Sequence, residues 1–196
     1  MKYKISLTLF YFLFAIFMMS ISRFGFEMYF NNIGSLFLFL IMILDIRTDT
    51  LGKKGFLGLI IFSVFHSIGA CYLYSYVPYN DWILSLFNFN INEYFSFTRN
   101  HYDRLVHFLF GLLLFPSIKD LLIKYNFSPV NLLFVTFLSI QTFSMIYELF
   151  EWLISILFTE GVAESYNGQQ GDMWDAHKDM ALAMLGSIFS WIFSKK

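Results

Sequence analysis

The chain has 196 residues, of which 58% are hydrophobic, 22% aromatic and only 14% charged. Soluble domains are roughly 45–50% apolar and about 25% charged, so this composition excludes an ordinary soluble domain and a disordered chain. A net charge of −1 argues against a nucleic-acid partner. The single cysteine, Cys71, excludes an intrachain disulfide and a multi-cysteine metal site. We therefore expect an all-α membrane helix bundle whose partner is the lipid bilayer.

Six apolar segments approach the roughly 20 residues that a membrane-spanning helix needs. They predict one membrane domain over residues 1–196, with spans at about 5–21, 29–44, 56–74, 104–122, 129–158 and 175–193. The first segment also fits a cleaved signal peptide, with a small-x-small site at Ser20-Ile21-Ser22. We expect the segment to be retained. Its removal would leave five spans and disturb the unequal distribution of basic residues between the two sides of the membrane.

Basic residues divide unequally between the two sides of a six-span chain. Nine lie on the side of the two termini and four on the opposite side. The positive-inside rule then predicts that both termini are cytoplasmic. The expected location is the bacterial plasma (inner) membrane, with several crossings.

Acidic residues and histidines gather at the outer ends of the last three spans, although a charge inside a span costs several kcal/mol. In the fourth span, Asp103 and His107 are four residues apart and share a helix face. The alternative is that Asp103 only caps the helix. In the fifth span, Glu148 and Glu151 are three residues apart, which predicts either a salt bridge to Arg104 or Lys178 or a site for a metal ion or a proton.

The sixth span begins with three acids at i, i+3 and i+7, namely Asp172, Asp175 and Asp179. The same stripe continues into small residues that let a neighbouring helix approach closely: Ala183, Gly186 and Ser190. Asp172 also suits the positive end of a helix dipole, which is the alternative interpretation for it. His177 points away from the stripe and His66 stands alone in the third span, so neither is expected to be a ligand.

Oxygen and imidazole groups without thiolates suit a divalent cation such as Mg²⁺, Mn²⁺, Ca²⁺ or Zn²⁺. The candidate metal ligands are Asp103, Asp172, Asp175 and Asp179. The candidate catalytic residues, as acid and base groups or ligands, are His107, Glu148 and Glu151. The candidate substrate-binding residues are Arg104, Gln170 and Trp174, with Arg104 holding an anionic head group. The sequence contains no metalloprotease, EF-hand, P-loop or dinucleotide motif.

Three stretches of this region resemble the YjdF-like family of bacterial inner-membrane proteins. They read HYDRLVHFLFGLLLFP, YELFEW and GQQGDMWDAHKDMALAMLG. The family patterns are close to D-R-x-x-H-F-x-x-G, Y-E-x-x-E-W and Q-G-D-x-W-D-x-x-x-D-M. The resemblance covers residues 100–190 and implies a polytopic inner-membrane protein, without implying a particular activity.

The same region is more distantly similar to the VanZ-like membrane proteins, which are linked to glycopeptide resistance. Residues 103–108 match the pattern D-[KR]-x-x-H-F, and residues 179–186 match D-x-x-x-[NA]-x-x-G, with Ala183 where an asparagine is common. Glu148 or Glu151 occupies the acidic position between them. This similarity implies an envelope or lipid-related role.

Three functions stay open on these residues. One is an integral membrane module, structural or envelope-related, whose polar network specifies helix packing. Another is a metal- or acid/base-assisted enzyme that acts on a lipid or lipid-linked envelope substrate. The third is a transporter of a small solute, an ion or a lipid, which needs a polar path through the inner halves of the last three spans, where the sequence offers almost none. Substrate, metal identity and oligomeric state are not predicted.

Overall fold

The computed structural model describes residues 1–128, 130–159, 161 and 166–194, and every regular element among them is a helix. In chain order these are α1 (Lys2–Ile21), α2 (Phe26–Asn31), α3 (Ile33–Thr48), α4 (Lys53–Cys71), α5 (Tyr79–Phe87), α6 (Ile91–Tyr94), α7 (Tyr102–Lys124), α8 (Leu132–Leu157) and α9 (Asp175–Ser194). The predicted all-α class is confirmed.

Five helical segments are long and apolar enough to cross a membrane: Lys2–Ile21, Phe26–Thr48, Lys53–Cys71, Tyr102–Lys124 and Leu132–Leu157. Helix α9 has 20 residues, but the polar residues of its first turns keep it outside this set. The sixth span therefore stays a prediction. Pro129, the predicted start of the fifth span, lies outside the described residues, as do the two C-terminal lysines.

Two predicted spans have different ends in the structure. The second extends over residues 26–48 rather than 29–44, and it breaks at Asn32 between α2 and α3. Side-chain amides stabilise this break, since Asn31 donates to the Glu27 carbonyl at 3.0 Å and Asn32 donates to the Met28 carbonyl at 2.9 Å. The third runs over residues 53–71 rather than 56–74, because the chain leaves the helix after Cys71.

The helices pack in two groups that meet where α4 lies against α7. Helices α1 and α3 pack on α4, whereas α8 and α9 pack on α7. A buried ion pair ties the first group together, because Lys4 Nζ on α1 lies 2.6 Å from Asp45 on α3 and 2.7 Å from Asp49 just after it. Both Lys4 and Asp45 are buried.

Helices α7 and α9 approach each other backbone to backbone. A Cβ atom at Gly111 would lie 1.9 Å from the Ala183 carbonyl oxygen, and one at Gly186 would lie 2.1 Å from the Phe108 carbonyl oxygen. Ala183, Gly186 and Ser190 are all buried, so the predicted small-residue stripe of α9 is a packing surface. This contact fixes the acidic first turns of α9 beside the first turns of α7. We call this part of the second group, where α7 and α9 begin and α8 ends, the acidic end.

Candidate functional site

Side chains just ahead of α7 and α9 define where these helices begin. The Asn100 side-chain oxygen accepts a hydrogen bond from the Tyr102 amide at 2.9 Å, and the Asp172 carboxylate accepts one from the Trp174 amide at 3.1 Å. Such local turns are a typical use of asparagine and aspartate ahead of a helix. They set Asp103 and Asp179 within the first two turns of their helices.

Asp103, His107 and Asp179 converge at the acidic end. Each offers one ligand atom, and these atoms all lie within 4.8 Å of one another. The three residues are only 6%, 7% and 2% exposed. Atoms that lie about 2.0–2.6 Å from one ion are separated by no more than about 4–5 Å, so this spacing fits a single divalent cation.

The two ring nitrogens of His107 face different carboxylates. Nε2 lies 3.6 Å from Asp103 Oδ1, and Nδ1 lies 3.5 Å from Glu148 Oε1. The ring of Tyr147 packs against the imidazole with a centroid distance of 5.7 Å. Histidines that bind metals usually present one nitrogen to the ion and the other to a carboxylate or carbonyl that orients the ring. His107 has this arrangement, with Glu148 in the orienting position.

Two carboxylate oxygens beside His107 are buried without a hydrogen-bond partner among the described residues. They are Asp179 Oδ1 and Glu148 Oε1. Buried polar atoms in folded proteins nearly always have a partner, because desolvation without one is costly. Asp179 Oδ1, in the group of three, therefore marks a position where a cation or a hydrogen-bond donor is needed, whereas Glu148 Oε1 faces His107 Nδ1 on the other side of the ring.

A layer of ion pairs lies next to this group. Arg99 binds Asp175 through both guanidinium ends, at 2.6 and 3.3 Å. Arg104 lies 2.5 Å from Asp172 and 3.3 Å from Asp175, and Lys178 lies 2.5 Å from Asp172. The hydrogen bond from Lys178 is the largest cause that lowers the pKa of Asp172 to about 2. These two aspartates are thus compensated by cationic side chains.

The acids predicted as metal ligands consequently separate into two sets. Asp103 and Asp179 join His107 and have no lysine or arginine partner among the described residues, whereas Asp172 and Asp175 are held in ion pairs. Glu148 lies beside the first set.

The three predicted substrate-binding residues lie outside the group of Asp103, His107 and Asp179. Arg104 is engaged with both aspartates of the ion-paired layer. The Gln170 side chain bonds to the amide and the carbonyl of Asn100, at 2.9 and 3.1 Å, and so joins the segment before α9 to the segment before α7. Trp174 is 56% exposed and packs edge-on against His177.

Two residues of this region were not singled out from the sequence. Arg99 binds the carbonyls of Gln169 and Gly168 in addition to Asp175. Asn167 is buried and donates to the Glu151 carbonyl and the Ser155 hydroxyl. Arg99 could have been identified from the sequence, because it is one of the few basic residues near the acidic stripe. Asn167 could not, because it only adjoins the GQQGD motif.

A cavity of about 240 Å³ lies between α8 and α9 at the acidic end. Its polar lining consists of Glu148, Glu151, Ser155, Asn167, Gln169 and Asp175. Its apolar lining consists of Met145, Leu149, Trp152, Ala176 and Met180. Because Met145, Leu149 and Trp152 are 47%, 52% and 64% exposed, the cavity reaches the outer surface of the bundle.

Comparison with known proteins gives one family. The family model described as "Predicted membrane protein (DUF2238)" matches residues 5–195. The chain is 31% identical over 128 residues to the inner membrane protein YjdF of Escherichia coli (strain K12), which is 64% of this chain and 57% of that protein. No solved structure matches the chain. The resemblance to YjdF-like proteins is confirmed, the VanZ-like similarity stays a prediction, and the chain belongs to the DUF2238 family of membrane proteins.

Proposed function

We propose that this chain is a multi-pass inner-membrane enzyme that binds a divalent metal ion and acts on a lipid or lipid-linked envelope substrate. The ligands are Asp103, His107 and Asp179. The observation that carries the proposal is their convergence within 4.8 Å, together with a buried Asp179 oxygen that has no hydrogen-bond partner among the described residues. The inner-membrane location follows from the similarity to YjdF.

The ligand set favours a catalytic rather than a structural metal site. Three protein ligands of the imidazole and carboxylate type leave coordination positions for water or substrate. The mixed nitrogen and oxygen set suits Zn²⁺ or Mn²⁺ better than Ca²⁺, which takes six to eight oxygens. Such an ion supplies Lewis-acid polarisation of a carbonyl or phosphoryl group, or a bound hydroxide near neutral pH.

The two glutamates of α8 have separate roles in this proposal. Glu148 orients His107 from the side away from the ligands, as the 3.5 Å approach to Nδ1 suggests. Glu151 lines the cavity and is the proton acceptor for a bound substrate. The guanidinium groups of Arg99 and Arg104 hold Asp172 and Asp175 out of the ligand set.

The depth of the site supports a lipid-type substrate. At a rise of about 1.5 Å per residue, Asp179 lies about 6 Å below the start of α9, and Glu148 lies about 14 Å from the end of α8. With the bilayer surface at the start of α9, a depth of about 6 Å would lie at the head-group level. With both termini cytoplasmic, as the basic residues predict, the acidic end faces the outer leaflet.

The test is metal content. We expect the purified protein to retain about one equivalent of Zn²⁺ or Mn²⁺ by elemental analysis after dialysis. Asp179→Asn and His107→Gln should lose most of it, and Asp172→Asn is the matched control because that carboxylate is already ion-paired. Wild-type protein without bound metal after loading, or equal loss in the control, would contradict the proposal.

A structural role is the second candidate, and the ion-paired layer favours it. Arg99 and Arg104 join the start of α7 to the start of α9 and the segment before it. They do so through six contacts shorter than 3.4 Å, to the carbonyls of Gly168 and Gln169 and the carboxylates of Asp172 and Asp175. If packing were the whole function, Arg99→Gln would lower the melting temperature, and Asp179→Asn would have no cellular phenotype once expression is matched. A phenotype for Asp179→Asn at equal expression excludes this candidate.

A further inference from the structure

The segment between α4 and α7 has an exposed apolar face. In α5 the apolar side chains recur at i, i+1, i+4 and i+5 and share one side of the helix: Trp82, Ile83, Leu86 and Phe87. Asp81 and Ser85 lie on the opposite side. Leu86 and Phe87 are 74% and 73% exposed, and across the described helices α5 and α6 no residue is buried. An exposed apolar face of this kind typically contacts a membrane or another protein.

Hydrogen bonds hold the beginning of this segment level with the start of α7. The Asn100 side-chain amide donates to the Val77 carbonyl at 2.8 Å, and the His101 backbone amide donates to the Tyr79 hydroxyl at 3.3 Å. The Tyr79 hydroxyl in turn donates to the Asn92 side-chain oxygen at 3.0 Å, which joins α5 to α6. Helix α7 is long and apolar enough to cross the membrane, and it begins directly after His101. The position of α5 is therefore the level at which a spanning helix meets the surface of the bilayer.

Aromatic side chains cluster at the same end of the neighbouring helices. Trp82 contacts Tyr72 edge-on with ring centroids 6.0 Å apart, and Tyr76 stacks on Phe24, which follows α1, at 5.4 Å. Tyr76 and Tyr94 are exposed. Tryptophan and tyrosine are enriched where spanning helices leave the hydrocarbon, because one end of each side chain is apolar and the other binds water. These aromatic residues independently favour the bilayer, rather than another protein, as the partner of α5.

The charges of the segment indicate how it binds the bilayer. No lysine or arginine occurs between residues 55 and 98, whereas Asp81 and Glu93 are acidic. Helices that bind membranes through anionic lipids have lysine and arginine on their polar face. The binding of α5 therefore depends on burial of its apolar side chains and not on attraction to anionic head groups.

We infer that α5 is an interfacial helix whose partner is the bilayer. The face that contains Trp82, Leu86 and Phe87 lies among the head groups and the first acyl carbons of the leaflet at the acidic end. Asp81 and Ser85 face water. This inference goes beyond the proposed function and depends on neither a metal ion nor a substrate. Its structural consequence is that the bilayer restrains the segment leading into α7, the helix that carries two of the three proposed ligands.

The experiment measures the depth of spin labels in the full-length protein, reconstituted into phosphatidylcholine vesicles. The single cysteine is first replaced by Cys71→Ser, which keeps a hydrogen-bond donor for the Met18 carbonyl. One nitroxide is then attached in Leu86→Cys or Phe87→Cys, and Ser85→Cys is the matched control on the opposite face of the helix. Collision rates with oxygen, which concentrates in the bilayer, and with a water-soluble nickel chelate give the depth. We expect the labels at positions 86 and 87 to lie about 5–10 Å below the head-group boundary and the label at position 85 to lie in water.

A second pair of variants tests whether the apolar face is the cause. Phe87→Glu places a charge on this face and should move the label at position 86 into water, whereas Ser85→Glu, on the polar face, should leave its depth unchanged. Equal access of the nickel chelate to positions 85, 86 and 87 would overturn the inference. Labels that are immobile and shielded from both reagents would also overturn it, since another protein would then cover this face. Insertion that requires phosphatidylglycerol in the vesicles would overturn it as well, because the segment would then bind through charge.

Discussion

His107 is the residue on which the site depends, because each of its ring nitrogens faces a different acid. A metal bond at Nε2 requires the proton to be on Nδ1, which Glu148 Oε1 faces at 3.5 Å. The acceptor fixes the tautomer and the ring orientation and raises the basicity of the ligand nitrogen. Glu148 thus contributes to metal affinity without touching the ion.

Glu148→Gln should weaken metal binding about 10- to 100-fold, the usual cost of losing an orienting carboxylate. The measurement is a competition titration of purified protein against a chelator of known affinity. Glu151→Gln is the control, since Glu151 is one helical turn away and is not among the ligands. Equal losses of metal affinity in the two variants would show that removal of a nearby negative charge, and not the orientation of His107, is responsible.

Asp172 gives a pH-dependent contribution to stability with a defined sign. Its pKa is about 2 in the folded protein, against about 3.9 for an ordinary aspartate, so its contribution is complete above about pH 4 and is lost as the pH falls towards 2. The melting temperature of wild type should exceed that of Asp172→Asn by a constant amount above pH 4, and the difference should shrink below it. Asp81→Asn, at an exposed position of α5, should show no such difference. A difference that grows on acidification would contradict this account.

At the level of elements, the backbone contact between α7 and α9 brings the ligands together. Gly111→Ala would add a methyl group 1.9 Å from the Ala183 carbonyl oxygen, which only a shift of one helix can relieve. The overpacking cost of about 1–3 kcal/mol exceeds the helix-propensity gain of about 1 kcal/mol. We expect a lower melting temperature and weaker metal binding. Gly25→Ala, where the nearest atom is 3.9 Å away, should change neither.

The contact between α1 and α3 depends on a buried cation. Lys4→Met should lower the free energy of unfolding by about 3–5 kcal/mol, because Asp45 would be left buried without its partner. Lys2→Met is the matched control, as Lys2 is exposed on the same helix. Chemical denaturation in detergent measures both. An unchanged stability for Lys4→Met would mean that water replaces the ammonium group.

At the scale of the whole molecule, periodicity and charge predicted the helices and the three acidic clusters. The stripe of Ala183 and Gly186 also predicted which face of α9 packs against a neighbouring helix. Small residues repeated at helical spacing in a membrane helix typically mark such a contact, because they let two backbones approach closely. The sequence alone could not show which acidic residues are held in ion pairs and which join His107. Asp175 and Asp179 have the same spacing on the same face, and only the fold shows that Arg99, 76 residues before Asp175, compensates one of them. The cavity likewise depends on Asn167, which no helical pattern marks.

The convergence of Asp103, His107 and Asp179 on one ion is tested most directly by pulsed electron paramagnetic resonance of the protein loaded with Mn²⁺. We predict one bound Mn²⁺ per chain with a hyperfine coupling to a single histidine nitrogen. The coupling should disappear in His107→Gln and persist in His101→Gln, a control at the residue that precedes α7. Bound Mn²⁺ without a nitrogen coupling, or a coupling that survives in His107→Gln, would contradict the proposed site.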